Sequence, residues 1–145
     1  MEALQSLRPL YAVLVSFFAV VPIYLYRKQP NLREGWTFFA GIIKLLIVLS
    51  MVPWVLQGNI YELTLCKILP GLSIKFKVDA FGMLFALVAS SLWIVTSAYS
   101  IGYMRGLKEH AQTRFFSFFA LALSATLGVA FSGNLLTLYL FYELL

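Results

Sequence analysis

Four long apolar runs, at about residues 9–26, 36–55, 80–101 and 115–131, are the feature that most limits what this chain can fold into. A run of about 17 to 25 apolar residues reads as a bilayer-spanning helix, because in lipid every backbone N–H and C=O must be satisfied inside the segment itself. Barrel strands are disfavoured, since they alternate in polarity and run to about ten residues. Hydrophobic residues make up 61% of the chain and charged residues 12%, against about 25% charged in soluble domains. The fold class is therefore an all-α integral membrane protein with the lipid bilayer as its solvent. A secretory signal peptide competes for the first run, but its basic leader is weak, with Glu2 offsetting Arg8, so a retained helix is the better reading.

Pro9 is tolerated in the first turn of the first helix, where its missing N–H has no helical partner. Trp36 and Trp54 bracket the second run as interfacial aromatics do, and Pro53 is expected to bend or end it. From Gln57 to Val78 the chain leaves the membrane. Ile74, Phe76 and Val78 alternate there with Ser73, Lys75 and Lys77, and Pro70-Gly71 separates this strand pattern from β-compatible residues 60–68. A short amphipathic β-hairpin on the membrane surface is predicted between the second and third helices.

Asp79 is placed to cap the third helix. Within that helix Gly82, Ala86 and Ser90 recur every four residues, and Ala120, Ser124, Gly128 and Ser132 do so in the fourth. Small side chains at this spacing let helices approach closely, so both stripes are expected to face protein. Ser132-Gly133-Asn134 reads as a tight turn into a fifth run, Leu135 to Leu145. That run is shorter than the about 20 residues a span requires and reads as a membrane segment cut short. The chain is thus expected to be a single membrane domain, residues 1–145, with helices at about 9–26, 36–55, 80–101, 115–131 and 135–145.

Basic residues set the orientation rather than a nucleic-acid surface. The first connection carries Arg27, Lys28 and Arg33 against Glu34, and the third carries Arg105, Lys108 and Arg114 against Glu109. Short basic connections stay in the cytoplasm. Alternation of the helices then puts the N-terminus and the hairpin outside, although the hairpin itself holds Lys67, Lys75 and Lys77 against Glu62.

Lys44 and Glu143 are the ionisable residues deep inside apolar runs. Each lies roughly 12 Å from one end of its helix at 1.5 Å per residue, close to the middle of a core about 30 Å thick. Such a charge costs roughly 2.5 to 3.5 kcal/mol on insertion scales and marks a candidate proton or cation path. Lys44 has a competing account, snorkelling of its long stem to the interface. Glu143 has another, a protonated hydrogen-bond donor to a neighbouring helix. His110 sits in a charged connection and is better read as solvated or capping than as a relay. Cys66 is a single cysteine and cannot form an internal disulfide. The sequence shows no Gly-rich phosphate loop, metal-ligand spacing or nucleophile triad, so no cofactor, metal or catalytic residue is expected in this chain.

The residues resemble the N-terminal part of the antiporter-like membrane subunits shared by respiratory complex I, membrane-bound hydrogenases and Mrp-type cation/proton antiporters. The resemblance is carried by Asp79, Gly82 and Phe85, then by Tyr99-Ser100 and Gly102-Tyr103-Met104, and by Arg114-Phe115-Phe116. It continues through Asn134-Leu135-Leu136 and Phe141-Tyr142-Glu143-Leu144, and covers about residues 69–145 well. It implies that Glu143 serves proton translocation, paired with a lysine on a later helix that this chain does not contain. It also implies about fourteen helices with half-channels in inverted repeats, other membrane subunits as partners, protons or Na+ as the ion, and a prokaryotic cell membrane. The function it implies is proton or monovalent-cation translocation in a multi-subunit complex. The alternative is a structural membrane subunit that packs such a complex without conducting. Tyr142 stands where tryptophan is common in the family, and Lys44 matches no family motif.

Overall fold

The computed structural model describes residues 3–108 and 110–145; Glu2 and Glu109, counted in the charge balance, lie outside the described residues. Strand β1 (Ala3–Gln5) precedes helices α1 (Arg8–Leu25) and α2 (Pro30–Leu56). Strands β2 (Ile60–Leu69) and β3 (Leu72–Val78) follow, then α3 (Ala80–Gly106), α4 (Gln112–Ala130) and α5 (Leu135–Leu144). The first four helices are long and apolar enough to cross a membrane. They form an antiparallel ring in which α1 packs on α2 and α4, and α3 packs on α2 and α4.

Three helices extend past their apolar runs, α4 least, since it begins at Gln112 rather than Phe115. α2 begins at Pro30 rather than Trp36, with proline in its first turn, and α3 continues to Gly106. Polarity ends a membrane run but not a helix: Arg33 and Glu34 remain helical and buried because the ends of α3 and α4 supply their partners. Pro53 does not end α2, which continues to Leu56. Pro9 lies in the first turn of α1 as its chemistry requires.

The hairpin forms at the expected place, with Gly71 at the turn in a positive-φ conformation of 81° that glycine adopts without a Cβ penalty. It is one part of a three-stranded sheet, since β1 pairs parallel to β2 through Ala3–Ile60, Leu4–Tyr61 and Gln5–Glu62. A three-residue strand carries too short a pattern to be read from sequence. The expected apolar face of β3 turns inward: Phe76 and Val78 are fully buried, and Lys77 is exposed.

The free edge of β3 is tied to the α4–α5 turn. Lys77 N donates to Phe131 O at 2.7 Å, Gly133 N to Lys75 O at 2.9 Å, and Lys75 N to Thr137 Oγ1 at 3.0 Å. This removes the unpaired edge that a hairpin lying alone on a surface would expose. A Cβ at Gly133 would come within 2.9 Å of the Lys75 side chain and 3.1 Å of its carbonyl, so the close approach depends on glycine.

Both small-residue stripes face protein within their helices, although Ser132 lies past the end of α4 and is only half-buried. Gly82, Ala86 and Ser90 are buried on α3, and Ala120, Ser124 and Gly128 on α4. A Cβ at Gly82 would meet the Ala130 carbonyl at 2.7 Å, and one at Gly128 would collide with the Phe141 ring. Asp79 caps α3 as expected, its Oδ1 accepting from Gly82 N at 2.8 Å. The interior divides into two apolar clusters. One, under the hairpin, includes Val13, Val48, Phe76, Ala86 and Phe131; the other, toward the opposite end, includes Ala19, Ala40, Trp93 and Phe116.

Candidate functional site

Lys44 lies between the two clusters. The apolar faces of α2 wind around it, with Ala40 in the cluster on one side and Val48 in the cluster on the other. Its side chain is fully buried and its Nζ has no hydrogen-bond partner among the described residues. The ammonium head therefore stays inside the bundle and does not snorkel to the helix end. An unpartnered cation there is costly, and buried charges are ordinarily paired or hydrogen-bonded.

Glu143 occupies a different setting. Helix α5 starts where Asn134 caps it: Asn134 Oδ1 accepts from Thr137 N at 2.9 Å and from Thr137 Oγ1 at 2.8 Å, while its amide donates to Ser73 O. The cap anchors α5 at the hairpin end, and Phe141 packs against Phe76 at 5.5 Å between centroids. Two residues further on, Glu143 is exposed, pointing away from this packing. The structure does not bring Lys44 and Glu143 into a hydrogen bond.

The structure also brings together a third group of charged residues that the sequence does not reveal as a unit. Arg105 donates from Nε to Glu34 Oε1 at 3.0 Å and makes a second bond from Nη2 to Glu34 Oε2, while also donating to Asn31 Oδ1 at 2.7 Å. Arg33 donates to Gln112 Oε1 at 2.8 Å and Thr113 Oγ1 at 3.1 Å, and its guanidinium lies over the Phe116 ring at 5.5 Å. This network joins the ends of α2, α3 and α4. Planar guanidinium groups suit such two-pronged pairing with a carboxylate. The signal was Arg33-Glu34 just ahead of Gly35-Trp36, which resembles a solvated connection when α2 is taken to begin at the tryptophan.

His110 is exposed and lines a cleft of about 590 Å³ between α1 and α4, with Arg27, Arg114 and Phe118. Among the described residues no group of three or more His, Cys, Asp or Glu side chains is placed to hold a metal ion.

An apolar four-helix ring with a buried charge and an extramembrane sheet defines the chain as an integral membrane protein, and comparison with known proteins gives its kinship. The model of the complex I (NADH-ubiquinone oxidoreductase) chain 5 N-terminal family matches residues 71–116. The Na(+)/H(+) antiporter subunit A1 of Staphylococcus aureus is 31% identical over 143 residues, which is 97% of this chain and 18% of that protein. The same subunit from Staphylococcus aureus strain Newman also matches at 31% identity over 143 residues. In the structure of the Mrp complex from Dietzia sp. DQ12-45-1b, one chain shares the fold with a TM-score of 0.78 and 22% identity, over 95% of this chain and 25% of that one. Over nearly its whole length the chain is similar to an antiporter subunit, and it shares the fold of a chain of an Mrp complex. It spans under a fifth of the length of the curated relatives it matches.

Proposed function

We propose that this chain is the N-terminal part of a longer Mrp-type subunit that moves protons or monovalent cations within a multi-subunit complex of a bacterial membrane. The observation that carries this reading is the match to a Na(+)/H(+) antiporter subunit over 97% of the chain. Glu143 is a member of the ion path, and Lys44 is a second ionisable site in the bundle interior. The exposure of Glu143 supports a partner supplied from outside these residues, because a carboxylate held in a membrane needs pairing, protonation or a wet cavity.

Replacing Glu143 with Gln in the full-length subunit keeps the shape and removes the charge. Ion exchange by the reconstituted complex should then fall to near background. Wild-type exchange rates would overturn the reading in favour of a subunit that packs the complex without conducting.

The basic residues Arg27, Lys28, Lys108 and Arg114 gather at the end of the bundle away from the hairpin, which supports that end as cytoplasmic. In a background with Cys66 replaced by Ser, K77C should react with an impermeant thiol reagent added outside and R27C should not. The reverse pattern would invert the topology.

A further inference from the structure

Ser16, Lys44 and Ser90 come from three helices and, by helix register, lie at one level. Along α1 and α2, Arg8 Nη1 reaches the Ser50 carbonyl at one end and Tyr26 stacks on Trp36 at the other, a register that sets Ser16 opposite Lys44. Along α2 and α3, a Cβ at Gly41 would touch Trp93 and Arg105 bonds Glu34, so one turn beyond Gly41 the register sets Lys44 opposite Ser90. About one turn to either side the positions are apolar, apart from the polar Nε1 of Trp93. Val13, Val48 and Ala86 lie toward the hairpin, and Ala19, Ala40 and Trp93 toward the other end.

All three side chains at this level are 0% exposed. Ser16 Oγ, Lys44 Nζ and Ser90 Oγ have no hydrogen-bond partner among the described residues. The same condition continues along the α2–α3 seam toward Glu34, where Trp93 Nε1 and Ser97 Oγ are also buried and unpartnered. Thr37, at the level of Ser97, spends its hydroxyl on the Arg33 carbonyl at 3.1 Å. From Lys44 to Glu34 the row covers about 15 Å of helix.

Buried polar groups are satisfied by protein or by ordered water, and a polar site with several convergent groups is where water resides. Hydroxyls both donate and accept, whereas ammonium and indole N–H groups donate, so water, which accepts and donates, fits every member of the row. An ammonium at the centre repels Na+.

We propose that Ser16, Lys44 and Ser90 frame an internal water site, and that the row through Trp93 and Ser97 is a hydrated proton route joining it to the Glu34–Arg105 end of the bundle. Lys44 gives a proton from Nζ to the adjoining water as that water passes one of its own along the row, leaving a neutral amine; reloading runs the same steps in reverse. This deepens the ion-path reading and rests on it for the use made of the route.

The test is water access, read separately from transport. In the full-length subunit within its complex, with Cys66 replaced by Ser, S90C and S97C are compared with A86C in the apolar cluster and V88C on the exposed face. A small water-soluble methanethiosulfonate is applied to membranes from the Arg105 side. Because the thiolate is the reacting form and needs water to ionise, S90C and S97C should react roughly tenfold faster than A86C or V88C, or more. Equal rates at all four positions would overturn the route. Should S90C fail to assemble, S97C against V88C decides the same point. If E143Q abolishes transport while the serine positions stay unreactive, the ion-path reading survives and the route falls. If the serine positions react while E143Q transports normally, the hydrated route survives and the ion-path reading falls.

Discussion

The two ends of the helix ring are closed by different physics. Under the hairpin, closure is apolar and backbone-mediated: Phe76, Val78, Phe131 and Leu127 fill the end while main-chain groups of residues 75 and 77 bond to those of 131 and 133. At the opposite end, closure is ionic, through Glu34 with Arg105 and Arg33 with Gln112 and Thr113. The first kind of seal puts a buried apolar cluster on the hairpin side of Lys44. The second ends in groups that tolerate water, since the Arg105 side chain is 45% exposed. The proposed water route runs toward the ionic end and not toward the apolar one.

That contrast can be broken most directly at Phe76. Its ring is fully buried against Phe141 and the α4–α5 turn, so Phe76→Ala should cost about 3–5 kcal/mol. Chemical denaturation of the full-length protein in detergent checks this, and a loss under about 1 kcal/mol would mean that the hairpin end is not the tighter seal. Next in size is Glu34→Ala, which removes an acceptor of charged hydrogen bonds and should cost about 1.5–3 kcal/mol. Salt sharpens the comparison: moving from about 0.1 to 1 M shrinks the screening length from about 10 to 3 Å. The wild type should lose stability on that change, whereas E34A should lose less. The smallest effect is expected at Asn134→Ala, about 1 kcal/mol from loss of the α5 cap. Because Asn134 also holds Ser73, hydrogen exchange in that variant should quicken in β3 as well as in α5; quickening confined to α5 would uncouple hairpin and helix.

Much of the fold was legible because lipid makes hydrophobicity and backbone satisfaction decisive over long stretches. The Asp79 cap, the Pro70-Gly71 turn and the stripes at Gly82 and Gly128 were legible for local reasons, each needing its chemistry within a few residues. The start of α2 at Pro30 was not. Arg33 and Glu34 look solvated until α3 and α4 bring Arg105, Gln112 and Thr113 to them. Strand β1 is not legible in the sequence because its partner lies 57 residues away, with Ala3 opposite Ile60. Lys44 stood out by depth alone, and its full burial at the level of Ser16 and Ser90 depends on helix register, which no single helix encodes.

The sequence by itself determined that this chain is a multi-helix membrane protein with a hairpin between its second and third helices, because apolar run length and strand alternation are properties of contiguous residues. Tertiary structure decided which polar groups share the interior: the level of Ser16, Lys44 and Ser90, the Glu34–Arg105 lock, and the docking of β3 on the α4–α5 turn. Those pairings follow from how antiparallel helices slide against one another, and that register is set by packing across the bundle.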